Sequence, residues 1–166
     1  MAFFISIPVL YFATLFQMVA ISRLPLINGS ADLVMLVLAA WGIIDIGKNY
    51  WGWGLVGGLM MSFVTKVPWP AVVLSYSFVA VTAHMLHGRI WQSPILAMLL
   101  MALLGTLITQ FSAVLALSLN EVPLIIGECV SAVIVPSIIL NLLFTIPVYI
   151  VIKDVAKWVY PGTDYD

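Results

Sequence analysis

Uncharged apolar runs, each closed by a charge or a glycine–proline break, divide the chain into six segments. The first runs from Ala2 to Ser22 and stops at Arg23, Pro25 and the Asn28-Gly29-Ser30 turn. The second opens at Asp32, a residue type that caps helix N-termini, and continues to Gly47, before Lys48 and Asn49. A glycine-rich third run, Trp51–Thr65, is closed by Lys66 and Pro68-Trp69-Pro70. The fourth, Ala71–Leu86, gives way to His87, Gly88 and Arg89. The fifth, Pro94–Leu119, is the longest and precedes Asn120 and Glu121. The sixth, Cys129–Ile152, ends at Lys153 and Asp154.

Crossing a bilayer core of about 30 Å takes roughly 20 apolar residues in a helix. The pattern predicts an all-α integral-membrane protein, a bundle of six transmembrane helices in one domain. Spans two and three are short for full crossings, so five crossings or a re-entrant hairpin are the competing arrangements. Barrel strands alternate apolar and polar residues, whereas Leu96–Leu104 is apolar on every face. The first run lacks a positive region before it and is long, so it reads as a retained helix despite Ala20-Ile21-Ser22.

Composition agrees with the pattern and narrows the function. Of 166 residues, 64% are hydrophobic and 8% charged, against about 25% charged in soluble domains. Mean hydropathy is +1.19. These values exclude a water-soluble enzyme and a disordered linker, and a net charge of −1 gives no footprint for nucleic acid. The single cysteine, Cys129, can form neither an internal disulfide nor a cysteine cluster.

The few charges also orient the chain. With both termini cytoplasmic, Lys48, Arg89, Lys153 and Lys157 lie inside, and Arg23 and Lys66 outside. The segment Lys153–Tyr160, with Val155, Trp158 and Val159 at helical spacing, suits the cytoplasmic headgroup layer and begins a short tail over 153–166.

Few residues can carry chemistry. Gly52-Trp53-Gly54-Leu55-Val56-Gly57 matches the dinucleotide fingerprint in letters only, because the flanking strand and the βαβ unit are missing. Gly54 and Gly58, with Gly57 beside them, instead form a small-residue face that lets a second helix approach. That helix belongs either to the bundle, the simpler reading, or to a partner. Asp45 is the one carboxylate well inside a span, and Lys48 three residues on makes an interfacial pair its simplest role.

Gln110 and Asn141 lie mid-span, where amides usually hydrogen-bond between helices; lining a ligand pocket is the sharper alternative. Pro136 and Pro147 flank Asn141 and predict a kinked last helix. His84 and His87 share one helix at i,i+3, which suits an interfacial role rather than haem or metal ligation. No nucleophile is paired with a base at membrane depth. The expectation is a protein with no catalytic set, no metal and no cofactor.

The order of these features resembles a known family. Pro25-Leu26-Ile27-Asn28-Gly29-Ser30-Ala31-Asp32-Leu33 opens the second helix, Trp51–Gly58 supplies the glycine-rich third, and Asn141-Leu142-Leu143-Phe144-Thr145-Ile146-Pro147-Val148-Tyr149 lies in the last. Across nearly the whole chain this is similar to the rod shape-determining protein MreD family. Where many family members carry an aspartate after the glycine-rich span, this chain has Ser62 to Lys66. The resemblance implies a fold similar to the substrate-binding subunits of energy-coupling-factor transporters. It also implies a bacterial inner-membrane scaffold that binds the single-span protein MreC. Through it, the scaffold is linked to MreB filaments and to the RodA–transpeptidase pair of side-wall peptidoglycan synthesis. A vitamin-type transporter subunit is the competing class. Such subunits dock through Ala-x-x-x-Ala faces on the first helix, whereas Ala13 and Ala20 here stand seven apart.

Overall fold

The computed structural model describes residues 2–19, 29–44, 50–87, 93–122 and 126–159. Over these the chain is helical and contains no strand. The elements are α1 (Ala2–Val19), α2 (Leu33–Ile44), α3 (Tyr50–Ser62), α4 (Trp69–Leu86) and α5 (Pro94–Leu119). A short turn α6 (Ile126–Glu128) then leads through a π-helical segment, Cys129–Ile134, into α7 (Val135–Val159).

Among the described residues, three helices are long and apolar enough to cross a membrane: Trp69–Leu86, Pro94–Leu119 and Cys129–Val159. By length and composition, the described residues account for three of the six expected crossings. Over the described residues α2 covers 12 residues and α3 covers 13, shorter than a full span, and the stretch between them, 45–49, lies outside the described residues. The apolar part of α1, Phe4–Val19, is also shorter than a full span. The segment beyond Ile152, expected as an interfacial tail, continues α7 without a break to Val159.

Helix α2 holds the centre of the bundle. Every residue from Leu33 to Ile44 is buried, and α2 packs against α1, α3, α4, α5 and α7. A helix apolar on all faces suits a protein core or a membrane span, and the burial of this one places it among the other helices. Trp41 on α2 stacks on Trp53 of α3, with ring centroids 3.9 Å apart and planes at 11°. At the same, C-terminal end of α2, Ile43 offers its carbonyl oxygen to the His87 ring, so a residue following α4 closes the central helix.

Local sequence explains the helix boundaries. Pro70 stands in the first turn of α4 and Pro94 begins α5, positions where a missing N–H costs nothing. Helix α5 ends in a Schellman motif: Glu121 N–H donates to Ser118 O and Val122 N–H to Leu117 O. Glu121 occupies the left-handed position of that motif with φ of 58°. In the first turn of α7, Pro136 cannot donate to the carbonyl four residues back. The chain widens there, and Val135 N–H bonds to Val130 O, five residues earlier. Pro147 lies within α7, which continues on both sides of it.

Candidate functional site

The polar residues of the bundle interior gather at the N-terminus of α2. A helix start leaves four N–H groups without intrahelical partners, and in an apolar interior each needs one. Asp32 is the cap. Its Oδ1 accepts from Met35 N–H at 3.0 Å, and its carbonyl accepts the first helical bond from Leu36 N–H. Gln17 of α1 reaches across so that its Oε1 accepts from Val34 N–H at 3.2 Å.

The backbone leading into Asp32 is held by α7. Gly29 lies so close to that helix that a Cβ on it would stand 2.5 Å from Pro136 Cβ and 2.9 Å from Ser137 N. Only glycine permits this approach. Ser30 N–H donates to Ser137 Oγ at 3.2 Å, and Asp32 N–H donates to Asn141 Oδ1 at 2.7 Å. Asn141 then donates from Nδ2 to Thr106 Oγ1 of α5 at 2.8 Å, and Thr106 donates to Ala102 O. Tyr76 of α4 completes the cluster, its hydroxyl donating to Asp32 Oδ2 at 2.5 Å, and the Gln17 side chain also bonds to Asp32. Five helices therefore meet through side chains at one carboxylate and one amide.

Beside this cluster lies a cavity of about 260 Å³ lined by Gln17, Asp32, Ser75, Tyr76, Thr109 and Gln110, among others. It opens between the α3–α4 turn, at Thr65 and Val67, and α5. A second hollow, about 640 Å³ and almost wholly apolar, runs between α1 and α7 over Leu33 and Val37 of α2. Phe12 and Phe16 form one wall, Phe144 and Val148 the other.

The residues singled out from sequence fall in different places. Gln110 lines the polar cavity. Asn141 does not; it is 1% exposed and bridges Asp32 to Thr106. Gly54 and Gly58 face α4, where an added Cβ would meet Ser77 Cα at 2.8 Å and Val73 Cα at 2.7 Å. Gly57 faces Leu38 and Val34 of α2. Their small-residue face is thus occupied inside the chain. Pro147 borders the apolar groove, and Pro136 stands against Gly29. Asp45 and Lys48 lie outside the described residues. His84 stacks on Tyr50 at 3.9 Å, and no group of three His, Cys, Asp or Glu suited to a metal occurs among the described residues.

Sequence reasoning gave Asp32 only a capping role and passed over Gln17, Tyr76, Thr106 and Ser137. Gln17 carried a usable signal, as the one amide in the otherwise apolar run Ala2–Ser22. No family model, curated protein or solved structure matches the chain.

Proposed function

We propose that the protein is a non-catalytic integral-membrane scaffold of the bacterial cell-elongation machinery, similar to MreD. In this reading it is a six-crossing bundle in the cytoplasmic membrane with both termini inside. It binds an MreC-like single-span protein and couples it, with MreB filaments and the RodA–transpeptidase pair, to side-wall peptidoglycan synthesis.

One observation carries the reading. The two most telling of the stretches on which the resemblance rests, Pro25–Leu33 and Asn141–Tyr149, are joined by the Asp32–Asn141 hydrogen bond. Residues that make the family pattern recognisable in sequence thereby form one structural unit, the brace that fixes α2 between α4, α5 and α7. Buried polar groups of this unit are spent on one another, as expected of a rigid platform rather than a reacting centre. The test is co-expression with an MreC-like single-span protein and purification through a tag on either chain. Retention of the partner through detergent extraction supports the scaffold; a clean single chain despite good expression of both refutes it.

The polar cavity favours a second reading, a substrate-binding membrane subunit of a small-molecule transporter. An ATPase-bearing partner recovered from the native membrane would decide for it.

A further inference from the structure

The cavity beside Asp32 has an unusual balance of donors and acceptors. Asp32 spends its carboxylate on Met35 N–H, the Tyr76 hydroxyl and the Gln17 amide, three of about four acceptor positions. It keeps part of its surface open, and that surface belongs to the cavity. Ser75 already donates its hydroxyl hydrogen to Val72 O, and Thr109 donates to Thr106 O. Each therefore presents only lone pairs to further ligands. The Gln110 amide bonds to no described residue, so its oxygen can accept and its NH2 can donate.

Charge points the same way. No lysine, arginine or histidine lines the cavity among the described residues. The N-terminus of α2 offsets about half of the Asp32 charge, which leaves a partial negative charge in a low-dielectric bundle. A phosphate or carboxylate ligand would meet the Asp32 charge with no cationic side chain among the described lining residues to offset it. The matching ligand is a cation that brings several donors and no acceptor, which describes a primary ammonium group. A quaternary ammonium is a poorer match, because it has no N–H and relies on aromatic faces, of which Tyr76 is the one among the lining residues. The volume, about 260 Å³, is below the range of about 300 Å³ upward typical of drug-sized ligands, and so suits a small head group.

We propose that this cavity is a binding site for a primary ammonium group, seated against the Asp32 carboxylate and the Gln110 carbonyl oxygen. The ammonium comes either from a free small amine or from the head group of an aminophospholipid. The site goes beyond the scaffold role and does not depend on it.

The test uses the full chain in nanodiscs of phosphatidylglycerol, titrated with ethanolamine and, in parallel, with tetramethylammonium. Ethanolamine binding and a raised melting temperature are expected, with tetramethylammonium at least tenfold weaker. Asp32→Asn keeps a capping oxygen but loses the charge, and weakens ethanolamine by about tenfold or more. Gln110→Leu lies away from the α2 cap, leaves folding intact, and weakens binding by several fold. Absence of ethanolamine binding to the wild-type chain overturns the proposal. So does equal binding of tetramethylammonium, or unchanged affinity in Gln110→Leu and Asp32→Asn. Native mass spectrometry after extraction from phosphatidylethanolamine bilayers separates the sources. A retained lipid that Gln110→Leu releases assigns the head group; ethanolamine binding without lipid retention assigns a free amine. Co-purification of a single-span partner is a separate readout, so either result can fail while the other stands.

Discussion

Asp32 and Asn141 stand 109 positions apart in the chain, and the backbone N–H of the first donates to Oδ1 of the second at 2.7 Å. The bond satisfies a main-chain donor at the start of α2, where the helix cannot satisfy it internally. Asn141 passes the connection on to Thr106, so α2, α5 and α7 are fixed together by one amide. Within an apolar bundle such a bond also sets register, since a shift of either helix leaves polar groups without partners.

Replacing Asn141 by leucine removes both bonds and strands the Asp32 N–H in the interior. A loss of about 2–4 kcal/mol is expected, since a buried unsatisfied donor costs about 1–3 kcal/mol beyond the bond itself. Thermal or denaturant unfolding in detergent measures it. Stability equal to wild type would show that the amide does not brace the bundle.

Tyr76→Phe keeps the ring and removes only the hydroxyl that donates to Asp32. Bonds to charged groups contribute about 1.5–3 kcal/mol, so a loss in that range is expected in the same assay. Asp32→Ala removes this bond together with the α2 cap and should cost more than Tyr76→Phe.

The two-faced glycine run gives graded effects. Gly54→Leu and Gly58→Leu force a side chain into the backbone of α4, at Ser77 and Val73. Overpacking of this kind typically costs about 1–3 kcal/mol, and α3 must separate from α4. Gly57→Ala meets the flexible end of Leu38 at 3.0 Å and is expected to be milder. Melting curves of the three variants test the order.

Glu121 holds a left-handed conformation that costs a non-glycine residue about 1–2 kcal/mol. Glu121→Gly relieves this at the end of α5 and is expected to stabilise the chain by about 1 kcal/mol, part of the gain being lost to the freer unfolded chain. An unchanged or lower melting temperature would contradict it.

Much of the helical framework is legible from punctuation alone. Pro94 and Asn120 bracket α5, and Asp32 announces the start of α2, because capping and proline geometry are local. What is not local is depth. Leu33–Ile44 reads as an apolar run whether it faces lipid or other helices, and only its packing against five helices shows that it is central. Asn141 could be marked as a mid-span amide, but its partners at Asp32 and Thr106 depend on packing between distant segments. Tyr76 carried no mark at all, since a tyrosine in an apolar helix looks the same with or without a carboxylate above it. Gln110 and Asp32 likewise become one cavity only after α2, α4 and α5 are assembled.

The proposed scaffold role is tested most directly by depleting the protein in its native host and measuring cell width and the position of new wall synthesis. The account predicts rounded cells that have lost dispersed side-wall insertion, restored by the wild-type chain and not by Asn141→Leu. Cells that keep normal width and side-wall insertion after full depletion would contradict it.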